Sequence, residues 1–518
     1  MVLRIFIFGV GEKFLDNGCT KKTNVLSFIK FINCEKLCIF CIMSFAITSE
    51  NVLIDNELIE ATIIYSNESG KILEIIKHRC HHHDEVLKVF AVTSFKDVSP
   101  YIVMPGLVDS HVHLNEPGRT EWEGFVTGTQ AAASGGVTTV IDMPLNAIPP
   151  TTTVENFLIK IDAAKNKCWV NVGFWGGIIP NNLQDLKPLI SMGVRGFKSF
   201  LCESGVEEFP AITPSHILKV MKHLQSEKTL LMFHAEMEPP QSHFPVSLCE
   251  DPENIDQQYK SIDPTAYSSY LASRPDSFEL TAIAEIIACS QKYPTIPLHI
   301  VHLATHQAIP MLIEAKKKGL PITAETCFHY LSLYAENISS GSTHFKCCPP
   351  IRTDENRKLL WDALRQDVIT TVVSDHSPCT PELKGLERGD FFEAWGGISS
   401  VGLGLSILFT QGQKLTPKIS IQEINKWCSR NTAQQVGLEH CKGQLKVGYD
   451  ADIVVFDPNS TFVLKKDELY FKNKLTVYEG MEFNGKIIET IVGGNSVFNS
   501  NTGFSKNALG KLILDPRK

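Results

Sequence analysis

The chain reads Gly106-Leu-Val-Asp-Ser-His-Val-His113 at the start of its central region, a short, mostly apolar run that ends in two histidines. Comparable runs recur from there to about residue 398, and longer amphipathic segments separate them. The eight runs are Gly106–His113, Val137–Met143, Trp169–Trp175, Arg195–Leu201, Thr229–Ala235, Leu298–Leu303, Pro321–Thr326 and Ile369–Asp375. The intervening patterns predict helices at Thr120–Ser134, Val154–Asn166, Ile217–Lys228, Ser277–Gln291, Gln307–Lys318 and Asn356–Arg365. Eight strand–helix repeats predict parallel strands with right-handed crossovers that close an α/β fold, the (β/α)8 TIM barrel.

The regions on either side of this barrel carry strand-like patterns with Gly, Asn and Asp turns, at 53–95 and 443–498. We expect the two ends of the chain to pack together as one small β-sandwich. The predicted organisation has an extension outside the fold, two sandwich segments and the barrel between them. The four regions are 1–42 (extension), 43–103 (N-terminal sandwich segment), 104–442 (barrel) and 443–518 (C-terminal sandwich segment and tail).

Bulk composition narrows the class of protein. A hydrophobic content of 43% and a charged content of 20% are ordinary for a soluble globular protein. The net charge of −8 argues against a nucleic-acid partner. The apolar stretches Met1–Val10 and Leu37–Ile47 are too short to span a membrane, and residues 1–42 lack the order of a signal peptide, so no membrane partner is expected. A cytoplasmic location is the default expectation. Fifteen irregularly spaced cysteines fit reduced thiols.

Several predicted strands carry a polar side chain at the carboxyl end. Barrel enzymes place their catalytic groups at these ends. His111 and His113 lie two apart on a strand, so both rings can face the barrel mouth. A lone H-x-H pair or a lone strand lysine is more often structural. Suitable groups at five strand ends together predict a metal site. Its candidate ligands are His111, His113, Lys198, His234, His302 and Asp375.

The chain resembles the amidohydrolase superfamily, in particular its branch of dihydroorotases, hydantoinases and allantoinases, from about Ser49 to about Asn499. The resemblance lies in Met104-Pro-Gly-Leu-Val-Asp-Ser-His-Val-His113, Val373-Ser-Asp-His-Ser-Pro-Cys379 and Gly448-Tyr-Asp-Ala-Asp-Ile-Val-Val455. It implies two Zn²⁺ per subunit. By resemblance, one zinc is held by His111, His113 and Asp375, the other by His234 and His302, and N6-carboxylated Lys198 bridges both.

The resemblance also implies a mechanism. Two metals would share a hydroxide, and Asp375 would be the catalytic residue that carries its proton to the departing amide nitrogen. An ammonium cannot bind a cation, and the resemblance implies that Lys198 reacts with carbon dioxide and becomes a carbamate. Asp109 is either a partner for a metal-binding imidazole or a structural aspartate.

The substrate is indicated by Asn115, two positions after His113. Dihydroorotases have an arginine there that binds the substrate carboxylate, whereas a neutral amide suits an uncharged ring. Segments similar to those of allantoinases are 115–124, 325–331, 346–352 and 394–399. They imply hydrolysis of the hydantoin-ring amide of (S)-allantoin to allantoate, in purine degradation. The residues implied in substrate binding are Asn115, Asn146, Cys327 and Pro349.

Two alternatives remain open at this point. One is a hydantoinase, dihydropyrimidinase or dihydroorotase-like cyclic amidase. The other is a non-catalytic scaffold of the dihydropyrimidinase-like kind, which keeps the barrel and loses metal ligands. The resemblance further implies a homotetramer. The long loop at 238–276 follows the fifth predicted strand, so we expect it on the catalytic rim.

Overall fold

The computed structural model describes residues 43–239 and 262–518. The predicted extension at 1–42 and the middle of the rim loop lie outside the described residues. In chain order the strands are β1 Ser44–Ile54, β2 Glu57–Ser66, β3 Lys71–Ile76, β4 Val92–Asp97, β5 Ile102–Pro105, β6 Leu107–Val112, β7 Val137–Asp142, β8 Asn171–Phe174, β9 Gly176–Gly177, β10 Phe197–Phe200, β11 Leu231–His234, β12 Leu298–Ile300, β13 Ile322–Cys327, β14 Thr371–Val373, β15 Ile453–Val463, β16 Glu482–Val492, β17 Asn495–Asn499 and β18 Gly503–Phe504.

The barrel consists of parallel strands in two hydrogen-bonded groups. One group has the order β6-β7-β8 and the other β14-β13-β12-β11-β10-β9. β9 continues β8 after one residue and pairs with β10, which joins the groups on one side. On the other side, Val112 and His376 form a parallel bridge, and the His113 amide donates to the His376 carbonyl at 2.9 Å. The eight predicted barrel strands are therefore present, and the predicted fold class is confirmed.

The helices of the described residues lie between and after these strands. They are Glu85–Val89, Phe125–Ser134, Val154–Ala164, Leu186–Ser191, Pro214–Leu224, Tyr267–Ser273, Asp276–Lys292, Ile309–Lys317, Phe328–Ser332, Asp354–Arg365, Pro381–Lys384, Gly404–Gly412, Ile421–Asn425 and Asn431–Gln435. Two of them begin where a threonine caps the first turn: the side chains of Thr153 and Thr353 each accept the amide three residues on. The helix at Pro214 begins with proline at its first position.

One helix begins later than predicted. The pattern favours Thr120–Ser134, but the helix begins at Phe125. The preceding segment forms turns instead, in which the Leu114 carbonyl accepts the Gly124 amide at 2.8 Å. Gly124 has a φ of 112°, which side chains rarely adopt, so glycine suits the end of this turn.

The two flanks of the barrel form one sheet with the order β18-β17-β16-β15-β5-β1-β2-β3, in which β4 also pairs with β1. β5 precedes the barrel and β15 follows it, and they are hydrogen-bonded antiparallel neighbours. The two flanks of the barrel thus meet in one sheet, and their division into sandwich segments stays a prediction. Buried side chains from both flanks, such as Ile63, Val103 and Ile453, share one apolar cluster.

Within residues 43–239 and 262–518, no helix is both long and apolar enough to cross a membrane. The ten cysteines in these two ranges are free thiols.

Candidate active site

All six predicted metal ligands line one cavity of about 340 Å³ at the carboxyl ends of the barrel strands. β6 and the residue after it present His111 and His113, and β10 presents Lys198. His234 ends β11, and His302 and Asp375 each follow the end of a strand by two residues. The barrel thus brings together groups from across the sequence.

Three of these residues form one half of the site. Oδ1 of Asp375 lies 3.2 Å from Nε2 of His111 and 3.6 Å from Nε2 of His113. One donor atom from each residue lies within 4.8 Å of the others, and all three side chains are buried. This spacing suits three ligands of one cation.

The other half contains His234, His302 and Lys198. Nδ1 of His234 lies 3.0 Å from Nε2 of His302, and Nζ of Lys198 lies 3.4 Å from the same Nε2. The rings of His111 and His302 have centroids 5.5 Å apart, so the two halves adjoin.

Two buried carboxylates fix which ring nitrogens face the cavity. Oε1 of Glu325 lies 2.5 Å from Nδ1 of His111, and Oε2 of Glu236 lies 2.6 Å from Nε2 of His234. A neutral imidazole that donates one N–H has a lone pair on the other nitrogen. Nε2 of His111 and Nδ1 of His234 are therefore available to bind a cation. Sequence reasoning does not select Glu325 or Glu236, and it points to Asp109 instead.

Asp109 has a different contact. Its Oδ1 accepts the backbone amides of His111 and Ser374 at 3.3 and 3.2 Å. The carboxylate beside the His111 ring is Glu325 and not Asp109. Burial raises the pKa of Asp109 to about 6.

Burial controls the charge of the site. It lowers the pKa of Lys198 to about 8, so a neutral amine is within reach at neutral pH. It also lowers the pKa of His113, His234 and His302, which keeps these rings neutral. Burial alone would raise the pKa of Asp375, but His111 and His113 outweigh it and hold that pKa well below its usual range.

These residues fit a divalent metal. Neutral imidazoles, a carboxylate and a lysine that can lose its charge are donors that zinc and related ions accept. The carboxylate–imidazole pairs at His111 and His234 are the kind that orient metal-binding histidines.

Backbone conformation also singles out the site. His302 and Asp375 have φ values of 39° and 43°, and Asn115 and Asn146 have values of 62° and 68°. Residues other than glycine adopt this left-handed region infrequently, and such strain concentrates at functional sites.

The four residues predicted to bind substrate have different positions. Asn146 lines the cavity, and its Nδ2 lies 3.4 Å from Nδ1 of His113. Asn115 is buried and donates to the Pro378 carbonyl at 3.3 Å. Cys327 is buried, with its sulfur within 4.8 Å of a carboxylate oxygen of Asp375.

Pro349 also lies close to the cavity without lining it. Its carbonyl accepts the Tyr330 hydroxyl at 2.6 Å, and the cavity wall is formed by its neighbours Cys347 and Cys348. Asn115, Cys327 and Pro349 are thus adjacent to the cavity, and their roles stay predictions.

The rim loop contributes Arg274 to the cavity wall. Its guanidinium binds both oxygens of Glu236, with Nε 3.0 Å from Oε1 and Nη2 2.5 Å from Oε2. Sequence reasoning places the loop on the rim but does not select this arginine. The stretch of the loop at 240–261 lies outside the described residues.

Residues 102–497 match the amidohydrolase family. The chain belongs to that family. It is 54% identical over 475 residues to an allantoinase from Saccharomyces cerevisiae, covering 91% of this chain and 99% of the relative. It is 41% identical over 429 residues to an allantoinase from Streptomyces avermitilis, covering 83% and 90%.

Solved structures share the fold of this amidohydrolase. An L-hydantoinase (dihydropyrimidinase) from Arthrobacter aurescens has a TM-score of 0.81 at 24% identity, covering 91% of this chain and 100% of the other. A D-hydantoinase has a TM-score of 0.78 at 26% identity, covering 92% and 99%. The chain therefore shares its fold with these two hydantoinases over nearly the whole of their length.

Proposed function

We propose that this amidohydrolase hydrolyses the hydantoin-ring amide of (S)-allantoin to allantoate. The observation that carries this proposal is the 54% identity to the yeast allantoinase across 99% of that protein. The converging donor atoms of the cavity supply the chemistry that such a reaction requires.

The cavity also suits an uncharged substrate. Its two outer cationic side chains are engaged by protein groups: Arg274 binds Glu236, and Lys346 donates to the Phe392 carbonyl at 3.0 Å. The Lys346 ammonium also lies 5.3 Å from the centre of the Tyr270 ring. Two positions after His113 stands the neutral Asn115. A substrate with a neutral ureido arm fits such a site better than one with a carboxylate.

The proposed metals are two zinc ions. His111, His113 and Asp375 would hold one, His234 and His302 the other, and Lys198, carboxylated on Nζ, would bind both. When bound, such ions lower the pKa of water and polarise an amide carbonyl.

The chain's own residues would supply proton transfer and orientation. Oδ1 of Asp375 faces His111 and His113 and accepts the Ser377 hydroxyl at 3.0 Å. Oδ2 is then the atom that takes a proton from the attacking water and gives it to the departing ring nitrogen. The carboxylate passes this proton on to the nitrogen, so Asp375 is ionised again when the ring has opened.

Lys198 would react through its neutral amine. The amine adds to carbon dioxide, a proton leaves the nitrogen, and an anionic carbamate results. The burial that lowers the pKa of this lysine supplies the neutral form.

The same-class alternative is a hydantoinase, dihydropyrimidinase or dihydroorotase-like amidase. The structural likeness to hydantoinases is compatible with it, but the sequence identity is much higher to allantoinases. The scaffold alternative is disfavoured, because a protein that had lost metal binding would have no need for six converging ligand positions.

The test is a substrate panel. Protein prepared with zinc and bicarbonate is assayed on allantoin, hydantoin, dihydrouracil and dihydroorotate, with and without a chelator. We expect chelator-sensitive turnover of allantoin and formation of allantoate. Preferential turnover of another ring would overturn the substrate, and no turnover by metal-loaded protein would support the scaffold.

Two further properties belong to the proposal. We expect a homotetramer, which sedimentation velocity measures, and a cytoplasmic location, which cell fractionation measures.

A further inference from the structure

Glu325 is a fully buried carboxylate beneath the cavity, on β13. Three side chains from separate regions of the chain bind it. Nδ1 of His111 lies 2.5 Å from Oε1, while Nε2 of His299 and Nε2 of Gln435 lie 2.9 and 3.1 Å from Oε2. Of these residues, the proposed mechanism names only His111, as a metal ligand.

The side chains of His299 and Gln435 are each held in place by a further hydrogen bond. Nδ1 of His299 lies 2.7 Å from the Thr323 hydroxyl. The carboxylate of Glu325 only accepts, so the proton of the neutral His299 ring lies on Nε2, and Nδ1 is the acceptor that faces the Thr323 hydroxyl. Oε1 of Gln435 accepts the Ser110 hydroxyl at 3.0 Å, which turns the amide NH₂ of Gln435 toward Glu325.

Gln435 is also anchored through its backbone. It ends the helix Asn431–Gln435, and its carbonyl accepts Nη1 of Arg517 at 2.7 Å. Arg517 stands in the C-terminal tail, which docks on the barrel where Ile513 donates its amide to the Val172 carbonyl at 2.8 Å. The position of Gln435 is therefore set independently of the metal ligands.

The orientation of His111 follows from this arrangement. Its Nδ1–H donates to Glu325, so its Nε2 has the lone pair and faces Asp375 at 3.2 Å. If the ring flipped or changed tautomer, it would lose a bond to a buried carboxylate that water cannot replace.

We propose that Glu325, held by His299 and Gln435, is a positioning residue that sets the direction and tautomer of the metal ligand His111. This inference rests on the metal site of the proposed function. A carboxylate is required because three N–H donors converge on it, and its oxygens only accept. A glutamine at 325 would bring its own NH₂ against one of these donors.

The test compares Glu325→Gln with Gln435→Leu and with Glu489→Gln as a matched control. Glu489 is likewise a buried carboxylate. It pairs with Lys96 at 2.7 Å and lies on β16, in the sheet formed by the two flanks of the barrel. The measurements are the zinc dissociation constant by chelator competition and the thermal unfolding of the metal-free protein.

We expect Glu325→Gln to weaken zinc binding about 10- to 100-fold, the range for partners of metal-binding histidines. Gln435→Leu weakens it by a smaller factor in the same direction, and Glu489→Gln leaves it unchanged. Zinc affinity equal to wild type in Glu325→Gln, with only lower stability of the metal-free protein, would overturn the inference. If Glu325→Gln does not fold, unchanged affinity in Gln435→Leu overturns it.

The experiment distinguishes a wrong substrate from a wrong role for Glu325. Wild-type protein that binds zinc but does not open allantoin contradicts the proposed substrate alone. Wild-type protein that binds no divalent metal contradicts both proposals.

Discussion

Nδ1 of His234 faces Nε2 of His302 across 3.0 Å. Glu236 accepts the proton on Nε2 of His234, so the donor across this contact is Nε2 of His302. These two nitrogens are also the ones that would bind the second metal. Metal binding at this half of the site therefore requires His302 to move its proton to Nδ1, which has no partner among the described residues.

His302→Ala should lower the zinc content from two ions per chain to about one and abolish turnover, because the second metal loses one of its two imidazoles. Metal analysis of the purified variant measures this. His440→Ala, which removes an exposed histidine, serves as the control. Retention of both ions in His302→Ala would contradict the assignment.

Asp375→Asn should reduce kcat for allantoin by at least about 10²- to 10⁴-fold, the usual share of general acid–base catalysis. An amide cannot take up the proton that we assign to Oδ2. Because Asp375 is also a predicted ligand, metal content is measured on the same sample. Near-normal kcat in the variant would exclude the proton-transfer role.

Lys198 should be carboxylated in the active protein. An intact-mass measurement under non-denaturing conditions is expected to show the added mass of one carbon dioxide. Lys198→Ala should lose metal and turnover, and short carboxylic acids should restore some of both, because they supply the missing bridging carboxylate. An active enzyme with an unmodified lysine would refute this.

Asn115→Gly should raise KM for allantoin about 2- to 10-fold, the effect of one lost hydrogen bond. Glycine preserves the backbone, since Asn115 has a φ of 62°, whereas alanine would add strain there. Oδ1 of Asn115 is buried without a hydrogen-bond partner among the described residues, which leaves this acceptor unpaired. An unchanged KM for the glycine variant, and likewise for Asn115→Ala, would remove Asn115 from the substrate site.

Asp452→Ala should destabilise the fold by about 1–3 kcal/mol, because the buried ammonium of Lys442 loses one of its two carboxylate partners and keeps only Asp450. Nζ of Lys442 lies 2.6 Å from Asp452, and both side chains are at most 6% exposed. Lys77→Ala breaks an exposed pair with Asp55 and should cost at most about 1 kcal/mol. Chemical denaturation of both variants measures the difference, and equal midpoints would show that the buried pair adds nothing.

Much of the fold could be predicted because barrel strands have a strong local pattern. The strand β6 is buried throughout, and its apolar residues Leu107, Val108 and Val112 supply the local pattern of a barrel strand. Once the strands are aligned in parallel, their ends must meet. For that reason Lys198 and His302, which are far apart in sequence, could be placed at one site.

The partners of the ligands could not be predicted in this way. Glu325 and Gln435 meet only through the closed barrel, and neither has a spacing that marks it. One signal was available: a glutamate inside the strand-like run at 321–326 must find donors if it is buried. The late start of the helix at Phe125 has a related reason, since the amphipathic pattern extends into the turns that precede the helix.

The pairing of β5 with β15 has a consequence for synthesis of the chain. β5 ends at Pro105 and β15 begins at Ile453, so the ribosome makes the whole barrel between them. Until the C-terminal flank emerges, the N-terminal strands present an unpaired edge at β5, the kind of edge that recruits other strands. The growing chain thus passes through a long interval in which this edge is open to other strands, and the interval ends only when β15 has been made.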